Sequence, residues 1–352
     1  MNILKRGALT LPTLFVLIAC GCRGAHVDDR AARIETIAFA SCAKADQPRQ
    51  IWDSIRAKRP DLFLFIGDNV YVDVPNPPTG AEDFERTYAE LRSEVPVLAS
   101  WDDHDYGLND AGKEFALKEV AQGQFVAFFD LPDDSPVRRR PGVYDAHRFG
   151  PPGQRVQVIL LDTRTFRDPL QRNPGGRVGG LGPYLPRADG EGSMLGKAQW
   201  AWLEAQLRKP AEVRVIASSI QVVAREHGWE CWGNLPHERD RLFALIAETQ
   251  AGGVFFISGD RHLTEMSRDA SDTAPYPMWD FTNSGMREGH RRVDEPNRYR
   301  VGESWRTSNF GIIRIDWDAD RPVVLYRSHA KDGSVIHKQA ISLDALRPAA
   351  SP

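Results

Sequence analysis

The order of hydrophobic and polar positions predicts alternating strands and helices in the N-terminal part of the chain. Residues 34–40 alternate with a period of two, as in a strand, and residues 62–66 form an unbroken apolar run, as in a strand buried on both faces. A third short strand is predicted at 97–100. Apolar residues recur at helical spacing in three segments, 50–58, 82–91 and 113–129. This β-α-β-α-β-α order is typical of an α/β domain.

The rest of the chain predicts more strands and ends in β structure. Strands are expected at 143–149, 155–161, 213–217, 253–257, 278–282, 310–317, 322–328 and 335–341. Helices are expected at 198–207, between the second and third of these strands, and at 238–249, between the third and fourth. Two segments rich in Gly or Pro, 74–80 and 172–192, are predicted to be loops, the second one a rim or lid. No repeat or linker divides the sequence, so we expect one α/β domain at 34–345, with two packed sheets and helices outside.

Composition and charge are those of an ordinary globular protein. The chain has 352 residues, 41% of them hydrophobic and 26% charged, which is enough for a large core. The formal net charge of -3 gives no overall attraction to polyanions. No nucleic-acid partner is therefore expected on the basis of charge.

The first residues predict export. Lys5 and Arg6 precede a short apolar segment at 8–19, and Leu17-Ile18-Ala19-Cys20 resembles a bacterial lipobox. We expect a lipoprotein signal peptide at 1–20, a lipid anchor on Cys20, and a polar tether at 21–33, which places the protein in the periplasm or cell envelope. A plain signal peptide cut nearby is the alternative. Two cysteines remain in the body, Cys42 and Cys231; they could pair in an oxidising compartment, although Cys42 is expected to have another role.

Four short motifs carry most of the reactive side chains, and each follows a predicted strand. They are Ala40-Ser41-Cys42, Gly67-Asp68-Asn69-Val70-Tyr71, Trp101-Asp102-Asp103-His104-Asp105 and Ser258-Gly259-Asp260-Arg261-His262. Ligands bind at the carboxyl ends of strands in open α/β sheets, so we expect the motifs to meet. The three carboxylates at 102–105 repel each other unless a positive charge neutralises them. The sequence therefore predicts a metal site.

Together with Leu161-Asp162-Thr163-Arg164 and the segment 232–239, these motifs resemble those of the PhoD-type alkaline phosphatases. That family is a branch of the calcineurin-like metallophosphoesterases. The resemblance implies a four-layer α/β/β/α sandwich of two mixed sheets with flanking helices. It also implies an exported enzyme that hydrolyses phosphate mono- or diesters, with Fe(III) beside Ca(II). A phosphodiester substrate would be the one way in which nucleic acid could be involved.

The resemblance assigns a first set of residues to the iron. Asp68 would bridge the two cations, and Cys42, Tyr71 and His262 would hold Fe(III). A thiolate and a phenolate suit a ferric ion. Most of the superfamily has Asp and His at these two positions, so Cys42 and Tyr71 distinguish this branch.

The resemblance assigns a second set to the calcium. Asp103 and Asp260 would face Ca(II), which takes oxygen ligands, and His104 would stabilise or protonate the leaving oxygen. Most of the superfamily also has a Gly-His pair after the strand predicted at 213–217, which this sequence lacks. Three other residues are candidates for completing the calcium site: Gln221, Asp102 and Asn109. Four loop residues could meet a phosphate, although a structural role is the simpler interpretation of each: Arg164, Asn283, Arg287 and His290.

Two other functions remain open. One is a phospholipase-type phosphodiesterase on the same fold, which the sequence does not separate from a monoesterase. The other is a non-catalytic binding lipoprotein on a degenerate phosphoesterase scaffold. A serine hydrolase is disfavoured, because no Gly-x-Ser-x-Gly motif is present.

Overall fold

The computed structural model describes residues 32–43, 49–71, 81–286 and 289–348. Within these residues the strands are β1 Thr36–Ala40, β2 Leu62–Ile66, β3 Val97–Ser100, β4 Asp145–Phe149, β5 Val156–Leu160, β6 Val213–Ser218, β7 Val254–Ser258, β8 Thr264–Asp269, β9 Met278–Asn283, β10 Arg291–Val293, β11 Arg300–Arg306, β12 Asn309–Asp316, β13 Val323–Ala330 and β14 Val335–Ser342. The α-helices are α1 Arg49–Ala57, α2 Ala81–Glu94, α3 Asp103–Tyr106, α4 Lys118–Phe128, α5 Gly196–Leu207 and α6 Pro236–Glu248. Short 3-10 helices lie at Pro136–Arg138, Trp232–Asn234 and Leu343–Ala345.

The strands form two mixed sheets. One has six strands in the order β14-β13-β12-β1-β2-β3, in which β1, β2 and β3 are parallel. The other has eight in the order β10-β11-β8-β9-β7-β6-β5-β4, in which β5, β6, β7 and β9 are parallel. Within each sheet the parallel strands end side by side; Ile66 pairs with Ser100, and Ser218 with Ser258. The segments that follow these strands therefore leave each sheet at a common edge.

Side chains alternate between the two faces of the six-stranded sheet and so produce four layers. Phe39 and Leu64 face the eight-stranded sheet and belong to the core between the sheets. Phe63, on the opposite face, packs against Trp52 of α1 with ring centroids 6.0 Å apart. On the far side of the eight-stranded sheet, Phe243 of α6 stacks on a ring of β7. The order of layers is helix, sheet, sheet, helix, which confirms the predicted α/β/β/α sandwich.

Most predicted strands and helices are confirmed, with differences at their ends. The helix expected at 113–129 begins only at Lys118, because the Lys113 N–H donates to Arg167 O at 2.8 Å and holds the preceding turn against another segment. The polar strands β8, β10 and β11 were not predicted. The hairpin expected at Asp332-Gly333 joins β13 and β14.

Several predictions lie outside the described residues. These are the signal peptide at 1–20 with Cys20, nearly all of the tether at 21–33, the loop at 74–80, and Arg287. Cys42 and Cys231 are both buried and unpaired, so the possible disulfide is absent. Among the described helices, none has the length and apolar character needed to span a bilayer.

Candidate metal centre

The ends of several strands bring the four motifs together where the two sheets meet. The Cys42 N–H, after β1, donates to Gly67 O, after β2, at 3.2 Å. The Gly285 N–H, after β9 of the other sheet, donates to Ser41 O at 3.2 Å. Backbone hydrogen bonds thus join segments from both sheets. The motif residues that follow β3 and β7 lie at the same junction between the two sheets.

The backbone is strained at four of the residues expected to bind metal. Cys42, Asp68, Asp260 and His262 have φ values of 56°, 51°, 64° and 52°, in the left-handed region that non-glycine residues seldom adopt. Each such residue costs on the order of 1–3 kcal/mol and persists only where its surroundings impose it. Four of them around one point indicate a functional site.

The first group of donors surrounds Asp68 Oδ2. Cys42 Sγ lies 3.3 Å from this oxygen, and the Tyr71 hydroxyl donates to it at 3.3 Å. The Tyr71 oxygen is also 3.2 Å from His262 Nε2. Cys42, Asp68 and His262 each offer one ligand atom within 4.8 Å of the others. Sulfur, oxygen and nitrogen donors therefore converge on one carboxylate.

The second group consists mainly of carboxylates. Asp102, Asp103 and Asp260 offer oxygens that lie within 4.8 Å of one another, and the same holds for atoms of Asp68, Asp103 and His104. The His104 N–H donates to Asp103 Oδ1 at 2.9 Å. Asp68 thus belongs to both groups, as a residue that bridges two cations must.

Burial makes the anionic forms of these residues costly. It raises the pKa of Asp68 well above the ordinary value, and negative charge on Cys42 and Asp103 raises it further. Burial also raises the pKa of Asp260, with the charge of Asp102 adding to the effect. The pKa of the Cys42 thiol is raised to about 11, again chiefly by burial. Protein groups alone therefore leave the cluster short of positive charge.

Asp102 is held by a buried chain of ion pairs. Arg164 Nε donates to Asp102 Oδ1 at 2.6 Å, and Arg164 also pairs with Glu230 at 2.5 Å. Glu230 in turn pairs with Arg167 at 2.8 Å. Ser219 Oγ donates to the same Asp102 Oδ1 at 2.7 Å, whereas Oδ2 is buried with no hydrogen-bond partner among the described residues. One oxygen of Asp102 is therefore fixed, and the other remains free to accept a ligand.

These donors fit two cations of different character. The first group mixes a thiol, a phenol, an imidazole and a carboxylate, a set that suits a transition metal. The second group offers carboxylate oxygens, which suit a hard cation such as Ca²⁺. The crowded buried carboxylates and the partnerless oxygen of Asp102 both call for positive charge at this place.

The structure brings all of the predicted site residues into this cluster: Cys42, Asp68, Tyr71, Asp103, His104, Asp260 and His262. It also adds residues that the sequence reasoning did not single out, namely Ser219, Glu230 and Ser284. Ser219 and Ser284 each lie just past a strand end, so the same positional rule could have drawn attention to them. Glu230 lies in an irregular segment and carried no such signal.

The additional candidates for the calcium site divide clearly. Asp102 joins the carboxylate group, as described. Gln221 is buried and donates its amide nitrogen to Glu265 Oε1 at 2.7 Å, whereas its amide oxygen has no hydrogen-bond partner among the described residues. Asn109 is exposed.

The described candidates for phosphate contact have structural partners. Arg164 is fully buried between two carboxylates. Asn283 is buried and donates to Asn309 at 2.9 Å. His290 stacks on Trp305 with ring centroids 4.8 Å apart.

Comparisons with known proteins identify the family of the chain. A family model described as PhoD-like phosphatase matches residues 81–309, more than half of the chain. That segment includes Asp103, Asp260 and His262, whereas Cys42 and Tyr71 precede it. A search of curated proteins by sequence gave no match.

Solved structures share the fold at low sequence identity. The structure of PhoD has a TM-score of 0.62 and 18% identity, and the match covers 89% of this chain and 72% of that one. For purple acid phosphatase PPD1 from yellow lupin (Lupinus luteus) seeds the TM-score is 0.56 at 14% identity, with 89% and 54% covered. GAP50, the anchor in the inner membrane complex of Plasmodium, has a TM-score of 0.54 at 15% identity, with 88% and 89% covered.

Proposed function

The chain belongs to the PhoD-like phosphatase family, and we propose that it is an exported enzyme that cleaves phosphate mono- or diesters with Fe(III) beside Ca(II). Its family and fold make it a metal-dependent phosphoester hydrolase. The identity of the cations, the preferred ester and the location are our proposals.

The observation that carries the proposal is the position of Asp68 in both donor groups. In our assignment Cys42, Tyr71 and His262 hold Fe(III), because anionic sulfur and phenol oxygen suit a ferric ion. Asp103 and Asp260 hold Ca(II). Asp102 can complete this site through Oδ2, the oxygen that has no hydrogen-bond partner in the described part of the chain. We thus add Asp102 to the ligands expected from the resemblance.

In the proposed hydrolysis, His104 and the bound cations have different roles. Bound cations supply positive charge that offsets the phosphate and makes a water molecule more acidic. His104 lies in the short helix α3, and its ring is tilted against that of Tyr71, with ring centroids 4.3 Å apart, at the edge of the donor cluster. Its backbone N–H orients Asp103, and its ring is placed to deliver a proton to the leaving oxygen.

Two synthetic substrates test the activity and its ester preference. We expect the purified protein to hydrolyse p-nitrophenyl phosphate, bis-p-nitrophenyl phosphate or both, faster with added calcium. Asp68→Asn should remove activity and lower metal content, whereas Asp316→Asn, an exposed carboxylate of β12, should change neither. Turnover of neither ester would overturn the hydrolase assignment. Unchanged metal content and function in Asp68→Asn would favour the non-catalytic binding lipoprotein instead.

Colour tests the iron assignment. Phenolate and thiolate ligands on Fe(III) give visible charge-transfer absorption, so the holoenzyme should be coloured and Tyr71→Phe should shift or bleach the band. A colourless, iron-free enzyme with full activity would contradict the assignment of Fe(III) while leaving the hydrolase assignment intact.

Export and anchoring are proposed from the sequence alone. Support comes from the positive charges at Lys5 and Arg6, the apolar segment and the lipobox-like residues ending at Cys20. In a bacterial host the protein should partition into detergent with the membranes. Cys20→Ser should abolish this, and Cys22→Ser should not. Equal partitioning of both variants would contradict a lipid on Cys20.

A further inference from the structure

Ser284 lies directly after β9 and touches two of the proposed iron ligands. Its Oγ is 3.0 Å from Cys42 Sγ and accepts the backbone N–H of His262 at 2.8 Å. Its own N–H donates to Leu263 O at 3.0 Å, and its carbonyl accepts from Asn309 Nδ2 at 2.6 Å. The residue is fully buried. Ser284 is thus fixed on both sides and has little freedom to turn away.

The chemistry of the groups fixes the direction of the hydrogen bond to sulfur. The Ser284 hydroxyl has one proton, and its oxygen already accepts from His262, so the proton is available to Cys42 Sγ. As a thiol, Cys42 can itself donate to Asp68, 3.3 Å away. A thiolate bound to a cation has no proton to donate. In the loaded protein this contact is therefore O–H to sulfur.

A neighbouring hydroxyl provides an internal comparison. Ser41 Oγ lies 3.6 Å from the same sulfur, but it also donates to Asn283 O at 3.2 Å. Its single proton is divided between two acceptors, and its distance to sulfur is longer. Ser284 is therefore the principal donor to Cys42.

We propose that Ser284 is a positioning residue that tunes the Cys42 thiolate by donating a hydrogen bond to it. Through its contact with the His262 backbone, Ser284 also sets the spacing between Cys42 and His262. The proposal rests on the proposed function in that Cys42 must bind a cation. Hydrogen bonds to a ligating sulfur stabilise its electrons and reduce their donation to the metal. The sulfur-to-metal charge-transfer band then lies at shorter wavelength, and the reduction potential of a bound iron is higher.

The test compares spectra of cobalt-loaded proteins. Co²⁺ is added to metal-depleted protein in a Tyr71→Phe background, so that phenolate transitions are absent and the near-ultraviolet thiolate band stands alone. Ser284→Ala should move this band to longer wavelength, and Ser41→Ala should move it less. Ser100→Ala removes another buried hydroxyl, which donates to Leu161 O at 2.7 Å and does not contact the thiol, and should leave the band in place.

A second pair of variants separates the hydrogen bond from packing. Ser284→Thr and Ser284→Val have the same shape and differ only in the hydroxyl, so the band of the Val variant should lie at longer wavelength than that of the Thr variant. The role of Ser284 would be overturned if Ser284→Ala left the band unchanged and the Thr and Val variants had the same band position. A larger shift in Ser41→Ala than in Ser284→Ala would also overturn it. A cobalt protein with no thiolate band at all would instead contradict Cys42 as a ligand, and with it the proposed iron site.

Discussion

At the scale of single residues, the centre combines buried negative charge with compensating groups at fixed places. Asp102 is the clearest case, since Arg164 and Ser219 hold one of its oxygens while the other is left without a hydrogen bond from the described residues. Glu230 continues the chain of charge away from the centre, and burial raises its pKa to about 7 against the opposing effect of Arg164. The ion pairs therefore offset part of the cost of burying these carboxylates and hold them in place.

Replacing Arg164 should destabilise the whole protein. Arg164→Met leaves Asp102 buried without its cation and Glu230 paired, among the described residues, with Arg167 alone, so we expect the free energy of unfolding to fall by about 3–5 kcal/mol in chemical denaturation. The matched control is Arg208→Met, in an exposed pair with Glu204 on α5, which should cost roughly 0.3–0.5 kcal/mol. Equal losses in the two variants would contradict the structural role of the buried pair.

The leaving group reveals whether His104 supplies a proton. His104→Gln should lower kcat by roughly 10²–10⁴-fold for an alkyl phosphate, whose leaving oxygen needs the proton. The loss should be much smaller for p-nitrophenyl phosphate, whose leaving group is a stable anion. Steady-state rates and metal analysis of the same preparations provide the measurement. A uniform loss on both substrates together with lost metal would show that His104 binds a cation instead.

At the scale of elements, short strands deliver the ligands and the turns after them determine the geometry. Gly67 directly follows β2 with φ at 110°, and an added Cβ there would lie 2.6 Å from the Asp102 Cβ. The close approach of these two strand ends therefore requires a residue without a side chain. The position of Asp68, the next residue, depends on this contact.

Gly67→Ala should disturb both stability and metal binding. The new methyl group would clash with Asp102 and strain the backbone, so we expect a loss of at least about 1–3 kcal/mol in unfolding free energy and weaker metal retention. Gly123, inside α4, has no atom within 4 Å of an added Cβ, so Gly123→Ala should instead stabilise by roughly 0.5–1 kcal/mol. Thermal unfolding with metal analysis measures both, and a neutral Gly67→Ala would contradict the tight contact.

Glu238 of α6 accepts a hydrogen bond from Trp200 of α5 and should make the stability of the protein depend on pH. Burial opposes its ionisation, but hydrogen bonds from Ser193, Trp200 and Met194 outweigh this and lower its pKa below 4.5. A carboxyl whose pKa is lower in the folded state stabilises fully above its unfolded pKa and loses this contribution as pH falls through the folded value.

The matching variant is Glu238→Gln, which keeps the shape and removes the charge. It should lower the unfolding free energy by about 1–3 kcal/mol near neutral pH, and the difference from wild type should shrink in acid. Denaturation at several pH values measures the difference. A difference that grows as the pH falls would contradict the lowered pKa.

Sequence patterns predicted the apolar elements well and the polar ones poorly. Runs such as β2 and β7 are buried on both faces and are recognisable locally. β8 is also mostly buried, but its Glu265 is satisfied by Gln221 and Arg300, which lie far away in the sequence. A local pattern contains no information about such partners, so the strand was missed.

The same distinction applies to the metal centre. The expected ligands were recognisable because unusual residue types follow predicted strands in family-like motifs. Ser284 was not, since its significance lies in a contact with Cys42, 242 positions away in sequence. Likewise, Asp102 was only one of several possible ligands until its pairing with Arg164 showed which oxygen is already used.

At the scale of the whole molecule, two sheets with parallel strands ending at a common edge gather distant carboxylates into a buried cluster. Each sheet alone carries only part of the donor set: Asp68 and Asp103 follow strands of one, and Asp260 follows a strand of the other. Bound cations would therefore join the two sheets, and their removal should lower the melting temperature as well as the activity.

The most direct test of a two-cation phosphoesterase is metal content measured alongside turnover of p-nitrophenyl phosphate or its bis-ester in one preparation. We predict about two cations per active chain, loss of activity and cations together on chelation, and recovery only when both iron and calcium are restored. Full turnover by protein that contains no metal would contradict the account.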